Sequence, residues 1–198
     1  MSDNHKALLT LANAIVRTSE FAVQAEHYGS SAEIVKQAGS TLQAAGLAAD
    51  KSKAVVNPDA KLIDTGLAWL DDAGHHLVTC SSDVMPELLQ QISAPPLVLY
   101  VNGDPDCLHL PALAMVGSRN PTPGGIRHAS DCAAHLGAAG FAIVSGLAQG
   151  IDTAAHRGAL TAQASTIAVL GHSIDRVYPA ANRDLAHQIA ANGALVSE

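Results

Sequence analysis

The chain has 198 residues, of which 48% are hydrophobic and 15% are charged, and its formal net charge is −7. This negative net charge excludes a protein that attracts nucleic acid electrostatically over its whole surface. The apolar content excludes a disordered tail and is sufficient for a packed core. No apolar run approaches the roughly 18 residues that a membrane span needs, so we expect no membrane partner.

Cysteine usage and the N-terminus indicate the cellular compartment. Three widely spaced cysteines match neither a disulfide framework nor paired zinc ligands; they are Cys80, Cys107 and Cys132. The first residues lack the basic segment of a secretory signal. We therefore expect a reduced, cytoplasmic protein.

Residues 1–74 predict a small all-helical domain of a SAM-like or helix-hairpin-helix-like type. Ser30 and Glu33 have the spacing of a capping box, directly after Gly29, which favours the end of a preceding helix. Asn57 followed by Pro58 predicts the start of another helix.

The function of the helical domain stays open on sequence. A DNA-binding hairpin needs a Gly-hydrophobic-Gly turn, and residues 46–48 supply half of one. Packing or spacing is the alternative to DNA contact. All five lysines lie in residues 6–61, which excludes a Walker P-loop and a Schiff-base lysine from the later part.

Residues 75–198 predict an α/β domain with a Rossmann-like, doubly wound, mostly parallel sheet. Apolar runs without polar alternation are separated by helical patterns, which is typical of parallel strands buried on both faces. The predicted strands cover residues 97–101, 112–116, 142–144, 166–170 and 194–196. Ligands of such sheets bind beyond the carboxyl ends of the strands, so the loops after Val116, Val144 and Leu170 are expected to carry the site.

The first of these loops, residues 117–125, suits a phosphate. Its glycines, Gly117 and Gly124 among them, let backbone N–H groups approach an anion, and a helix N-terminus follows. Ser118 lies between Gly117 and Arg119, whose guanidinium offers a fork of donors to the same anion. A tight turn with a surface arginine is the alternative.

The second loop follows Val144 and places Asp152 and His156 one helical turn apart. Asp152 is a candidate helix cap, and the pair could bind a metal or act as acid and base. Because no third ligand has a recognisable spacing, we predict no metal and a buried hydrogen bond that braces the loop. Ser145 would complete the residue types of a hydrolytic triad, but the order and the Gly-x-Ser-x-Gly elbow are absent.

The third loop begins at Gly171 and leads to Asn182, a candidate N-cap for the last helix. None of the three loops contains the Gly-x-Gly-x-x-Gly motif, and no acidic residue follows at the spacing that binds the ribose of NAD. NAD is therefore disfavoured, and we predict no cofactor. Residues 104–109 include Asp, Cys and His, which are residue types that can bind ligands, and we interpret the segment as a turn.

Four ordered motifs resemble the DNA-processing protein A (DprA/Smf) family of bacteria. They are Met115–Arg119, Val144–His156, Thr166–Gly171 with Asp175 and Tyr178–Pro179, and Ser197–Glu198. The resemblance is strong over residues 70–198 and weak over the helical domain.

The resemblance implies a cytoplasmic, non-enzymatic protein that binds single-stranded DNA, protects strands taken up in natural transformation and helps load the RecA recombinase. Carried over by position, Arg119 is the main phosphate contact, and Asp152 and His156 brace the second loop. The residues implied to shape the anion pockets are Gly117, Ser118, Gly124, Ser145, Gly146, Ala148, Gly150 and Gly171.

The chain departs from the family pattern in three places. Residues 163–165 replace a usual glycine followed by Lys or Arg, and residues 171–174 replace Gly-small-Gly-Leu. The family sheet continues beyond the position of Glu198, through segments expected to complete the binding face and to supply homodimer contacts. We therefore expect weaker DNA binding than in a full-length member and an exposed sheet edge prone to self-association.

Two other functional classes remain open. One is a Rossmann-like enzyme of the nucleoside-monophosphate phosphoribohydrolase type, for which the same loops would hold one phosphate. Its Pro-Gly-Gly-x-Gly-Thr motif does not occur in this chain. The other class is a non-functional fragment of a disrupted gene, which would not unfold cooperatively.

Overall fold

The computed structural model describes residues 3–198, which form two compact units. The first unit contains the described residues up to Ala73 together with Thr79–Leu99. The second contains Gly74–Val78 and Tyr100–Glu198. The sequence predicts the boundary after residue 74, whereas in the structure the helical unit also includes residues 79–99, whose two ends belong to strands of the sheet. Within residues 3–198, no helix has the length and apolarity needed to cross a bilayer.

The first unit is built from short helices around an aliphatic core. The helices are α1 Asp3–Asn13, α2 Thr18–Tyr28, α3 Ser31–Ile34, α4 Gly39–Ala44, α5 Ala49–Val56, α6 Ala60–Leu70 and α7 Glu87–Gln90. Helix α1 packs against α3 and α6, and α4 pairs with α5 as a hairpin. The most deeply buried large side chains are Leu9, Leu11, Ile34, Leu42 and Ile63.

Two predicted helix starts differ from the structure in their capping groups. Ser30 does precede α3, but its side chain makes no cap hydrogen bond. The Glu33 carboxylate accepts instead from Lys36 Nζ at 2.7 Å, so the capping box is not formed.

The predicted Asn57 cap is also wrong. Asn57 ends α5, and its backbone N–H bonds to the carbonyl of Lys53. Asp59 caps α6, because its Oδ1 accepts from the N–H groups of Lys61 and Leu62 at 3.0 and 3.3 Å. A carboxylate at this position also opposes the partial positive charge of the helix N-terminus, which makes it the stronger cap.

The sheet has six strands in the order β1-β2-β6-β5-β4-β3. The strands are β1 His75–Thr79, β2 Val98–Gly103, β3 Ala112–Ala114, β4 Ala142–Ser145, β5 Thr166–Val169 and β6 Ala194–Ser197. The pairs β3–β4, β4–β5 and β5–β6 are parallel, and β2–β6 is antiparallel. The predicted α/β, Rossmann-like and mostly parallel class is therefore confirmed. The sequence did not predict β1.

Three helices connect the parallel strands. They are α8 Pro123–Ala138, α9 Ile151–Thr161 and α10 Arg183–Asn192. Helix α8 packs against α9, and α9 packs against α10. Small alanines fill the buried contact of α8 and α9 with β4, while Ile189 and Leu185 of α10 pack with Leu195 and Leu170. Because β3, β4 and β5 are parallel neighbours, their carboxyl ends lie at one edge of the sheet.

Candidate anion-binding site

Three loops leave the carboxyl ends of β3, β4 and β5. Loop A covers residues 115–122, loop B covers residues 146–150, and loop C covers residues 170–179. In the structure a cavity of about 310 Å³ lies between them. Its lining residues are Arg119, Gly146, Ala148, Gln149, Gly171, His172, Tyr178 and Pro179.

The cavity brings together only part of the residue set predicted from sequence. Arg119, Gly146, Ala148 and Gly171 line it, while the remaining predicted residues do not. Those outside the lining are Gly117, Ser118, Gly124, Ser145, Gly150, Asp152 and His156. Gln149, His172 and Tyr178 were missed, although polar and aromatic residues in loops at the carboxyl edge are a signal that could have found them.

Arg119 supplies the fixed positive charge of the cavity lining. It is exposed, and within residues 3–198 its guanidinium makes no hydrogen bond or ion pair. A guanidinium without an internal partner keeps its five donors for a ligand, and its planar fork matches phosphate oxygens.

Loop A and loop B are in direct contact. The backbone N–H of Ile151 donates to the carbonyl of Ser118 at 3.1 Å. Gly150 has φ +86°, and a Cβ at this position would lie 2.8 Å from Pro121 Cδ and 2.9 Å from the carbonyl carbon of Arg119. Only glycine fits both this backbone conformation and this approach, so Gly150 sets the position of the Arg119 backbone.

Ser145, the last residue of β4, adds a second link to loop A. Its side chain is buried, and its Oγ donates to the carbonyl of Met115 at 2.7 Å. Ser145 therefore joins β4 to the start of loop A. The Thr122 hydroxyl accepts from Gly125 N–H at 3.1 Å, which caps α8 and places Gly124 in its first turn.

The buried Asp152 carboxylate holds the backbone of loop B through hydrogen bonds. Its Oδ2 accepts from the N–H groups of Gly146 and Ala148 at 3.2 and 3.3 Å. Gly150, rather than Asp152, occupies the N-cap position of α9. Because an internal carboxylate uses these two N–H groups, Gly146 and Ala148 shape the cavity wall but do not donate to a bound anion.

His156 is buried and bonded to the sheet rather than to Asp152. Its Nδ1 lies 2.7 Å from Thr166 Oγ1, which itself donates to the carbonyl of Ile143. Burial lowers the pKa of His156 to about 4, and the charge of Asp152 opposes this shift. The imidazole is therefore neutral at pH 7.

The hydrolytic triad and the metal pair are not assembled. Ser145 bonds to a backbone carbonyl and His156 bonds to Thr166, so neither side chain is poised to activate the other. In the part of the chain that the structure describes, no group of three His, Cys, Asp or Glu side chains could hold a metal ion.

Asn182 ties loop B to the start of α10. It stands at the predicted N-cap position, but its side chain makes no cap hydrogen bond. Its buried Nδ2 donates instead to the carbonyl of Leu147 and to Thr153 Oγ1, both at 2.9 Å. The end of the segment that carries Tyr178 is thereby fixed to loop B.

Exposed apolar side chains lie at the same edge as the arginine. Tyr178 is 75% exposed and lines the cavity, while Val116 after β3 and Val169 at the end of β5 are 77% and 50% exposed. An arginine and an accessible aromatic ring that line one cavity suit a ligand that combines an anion with a flat apolar surface.

The fold and this edge define a Rossmann-like α/β protein with a cavity between its strand-end loops, and an exposed arginine lines that cavity. The model of the DNA recombination-mediator protein A family matches residues 76–198, and the chain belongs to this family.

Several relatives support the assignment. Protein Smf of Escherichia coli is 36% identical over 158 residues, which cover 79% of this chain and 42% of that protein. The crystal structure of DNA processing protein A from Streptococcus pneumoniae matches with a TM-score of 0.76 at 27% identity, over 100% of this chain and 67% of that chain.

A structure of DNA processing protein A from Helicobacter pylori matches with a TM-score of 0.55 at 34% identity, over 62% of this chain and 55% of that chain. It is described as giving insights into a unique single-stranded DNA binding mode. This chain spans less than half the length of the curated relatives it matches.

Proposed function

We propose that this chain binds single-stranded DNA, independently of sequence, through the cavity between loops A, B and C. The observation that carries the proposal is the pairing of an unpartnered Arg119 guanidinium with an exposed Tyr178 ring in one cavity. Membership of this family supports the proposal, and so does the chain's similarity to the Helicobacter pylori structure, which concerns single-stranded DNA binding.

Each part of the cavity has a role in this proposal. Arg119 contacts a backbone phosphate, and the backbone N–H of Gly171, which lines the same cavity, adds a donor to the anion. Tyr178 offers a stacking surface for a nucleobase, and every base has a π-face, which makes the contact tolerant of sequence.

The geometry of the buried polar groups supports binding without chemistry. The Asp152 carboxylate is engaged by two backbone N–H groups inside loop B, and His156 is buried and neutral. Neither is presented to the cavity as a general acid or base. The nucleoside-monophosphate-cleaving alternative would use the same cavity, and release of adenine from AMP would favour it over our proposal.

The cellular role is a further part of the proposal and rests on the family. We propose a cytoplasmic role in DNA processing, in which the protein protects incoming strands and helps load the RecA recombinase during natural transformation. A homodimer belongs to the same proposal and rests on the family alone.

Fluorescence anisotropy with a labelled oligothymidine strand tests DNA binding. Arg119→Ala should weaken binding about 10- to 100-fold, the worth of a charge-assisted hydrogen bond to phosphate. It should also make the plot of log affinity against log salt shallower by about 0.7, because one phosphate contact is lost.

Arg157→Ala is the matched control, since Arg157 is an exposed arginine on α9 that does not line the cavity. Arg157→Ala should leave the affinity for oligothymidine and its dependence on salt close to those of the wild type. Equal losses in the two variants, or an affinity that ignores salt, would overturn the proposal.

A further inference from the structure

His172 lies in the same cavity as Arg119. It is the third residue of loop C and is half-buried. Its role at the cavity rests on the proposed DNA binding.

The hydrogen bond of the imidazole fixes its chemistry. Nδ1 of His172 lies 3.0 Å from the backbone carbonyl of Ser173. A carbonyl oxygen only accepts, so Nδ1 must carry a hydrogen and Nε2 is the nitrogen left for a ligand. In the neutral ring Nε2 is an acceptor, which cannot bond to a phosphate oxygen. In the protonated ring Nε2 becomes a charged donor.

The backbone of His172 is held in place from β6. The Ser197 hydroxyl donates to the carbonyl of His172 at 2.8 Å, so the residue is fixed from both its carbonyl and its ring. A fixed imidazole loses little conformational freedom when it contacts an anion, which favours binding.

The charged and titratable groups around His172 come from four segments. Arg119 of loop A and Tyr178 of loop C share the cavity lining, and Asp152 lies behind the loop B wall with two N–H bonds. Glu198 follows Ser197 in the chain. In its own loop, Asp175 lies 3.8 Å from Arg176, so these two charges largely compensate each other.

We propose that His172 is a second phosphate contact of the cavity, which acts only when its imidazole is protonated, so that binding of single-stranded DNA strengthens as pH falls. Arg119 is the charged side chain of the lining at neutral pH, and a protonated His172 would double that charge. Imidazoles gain their proton between about pH 8 and about pH 5, whereas the internal phosphates of DNA stay charged throughout.

Thermodynamic linkage between protonation and strand binding gives the direction of the pH effect and two measurable consequences. A phosphate beside the ring stabilises its protonated form, so strand binding takes up to one proton from solution per chain. Affinity for oligothymidine should rise about 10-fold between about pH 8 and about pH 5.5, the lower end of the worth of a charge-assisted bond. The salt slope should steepen by about 0.7 over the same range, because one more phosphate is neutralised.

The test compares three variants by anisotropy at both pH values. His172→Gln should lose the gain in affinity on acidification, so that its affinities at the two pH values are equal. His172→Arg should bind tightly at both pH values, with the steeper salt slope throughout. His187→Gln, which removes an exposed histidine of α10 outside the cavity, should keep the wild-type response.

Calorimetric titration in buffers of different ionisation enthalpy measures the proton uptake directly, and the uptake should disappear in His172→Gln. If the strand binds with a pH response that survives in His172→Gln, the inference about His172 is wrong and the proposed function stands. If no strand binds at either pH, the proposed function fails and the inference fails with it.

Discussion

Gly150 joins loop A to loop B, and replacing it with alanine should both destabilise the fold and disturb the cavity. The new Cβ would overlap the carbonyl oxygen of Ser118 and would lie 2.9 Å from the carbonyl carbon of Arg119. The φ of +86° would in addition be strained for any residue with a Cβ.

The two effects can be given separate magnitudes. The unfavourable backbone conformation costs about 1–2 kcal/mol, and forcing extra volume into a packed contact costs about 1–3 kcal/mol. Gly150→Ala should therefore lower the free energy of unfolding by about 2–5 kcal/mol. Because the backbone of Arg119 must move, affinity for oligothymidine should fall in the protein that remains folded.

Urea unfolding followed by circular dichroism measures the change, and two glycine controls separate its causes. Gly140→Ala has a similar φ of +94° but nothing within 4 Å of the new Cβ, so it should show only the backbone cost of about 1–2 kcal/mol. Gly124→Ala meets only Thr122 Oγ1, at 3.9 Å, and should be close to neutral. If Gly150→Ala were no more destabilising than Gly140→Ala, the contact between the loops would be refuted.

Three other predictions concern the buried polar groups. Burial lowers the pKa of His156 from 6.5 to about 4, so between these two pH values the unfolded chain binds more protons than the folded one. The free energy of unfolding should therefore fall as pH drops from 6.5 to about 4, by up to about 3 kcal/mol. His156→Gln should flatten this part of a plot of urea midpoint against pH. Asn182→Ala removes donors to Leu147 and Thr153 and should cost about 1–3 kcal/mol in urea, with weaker strand binding in anisotropy; unchanged values in both assays would contradict a bracing role. Burial raises the pKa of Cys107 to about 12, so native protein should resist alkylation there by mass spectrometry until it is unfolded, and rapid native labelling would contradict the packing.

Much of the α/β unit could be predicted from sequence, because uninterrupted apolar runs identify buried parallel strands. The same pattern predicts that the strand-end loops of parallel neighbours converge, and the structure has a cavity between them. Strand β1 could not be predicted this way, because its sequence starts with His75 and His76 and has no apolar run. The helix cap at Asp59 was missed because the Asn57-Pro58 pair gives an equally good local signal two residues earlier.

The roles of individual site residues depended on contacts that a sequence does not carry. Asp152 lies four residues after Ala148, and only the path of loop B shows that its carboxylate engages the N–H groups of Gly146 and Ala148. Asn182 has the position of a helix cap, while its actual partner Leu147 lies 35 residues away. Such long-range polar contacts are set by tertiary packing rather than by local propensity.

The most direct test of single-stranded DNA binding at this cavity is a heteronuclear NMR titration of the chain with oligothymidine. We predict that the largest amide shift changes fall in loop A around Arg119 and in loop C around His172 and Tyr178, and that Arg119→Ala needs about 10- to 100-fold more strand to reach them. Changes confined to α1–α6, or no changes at any strand concentration, would contradict the proposed site.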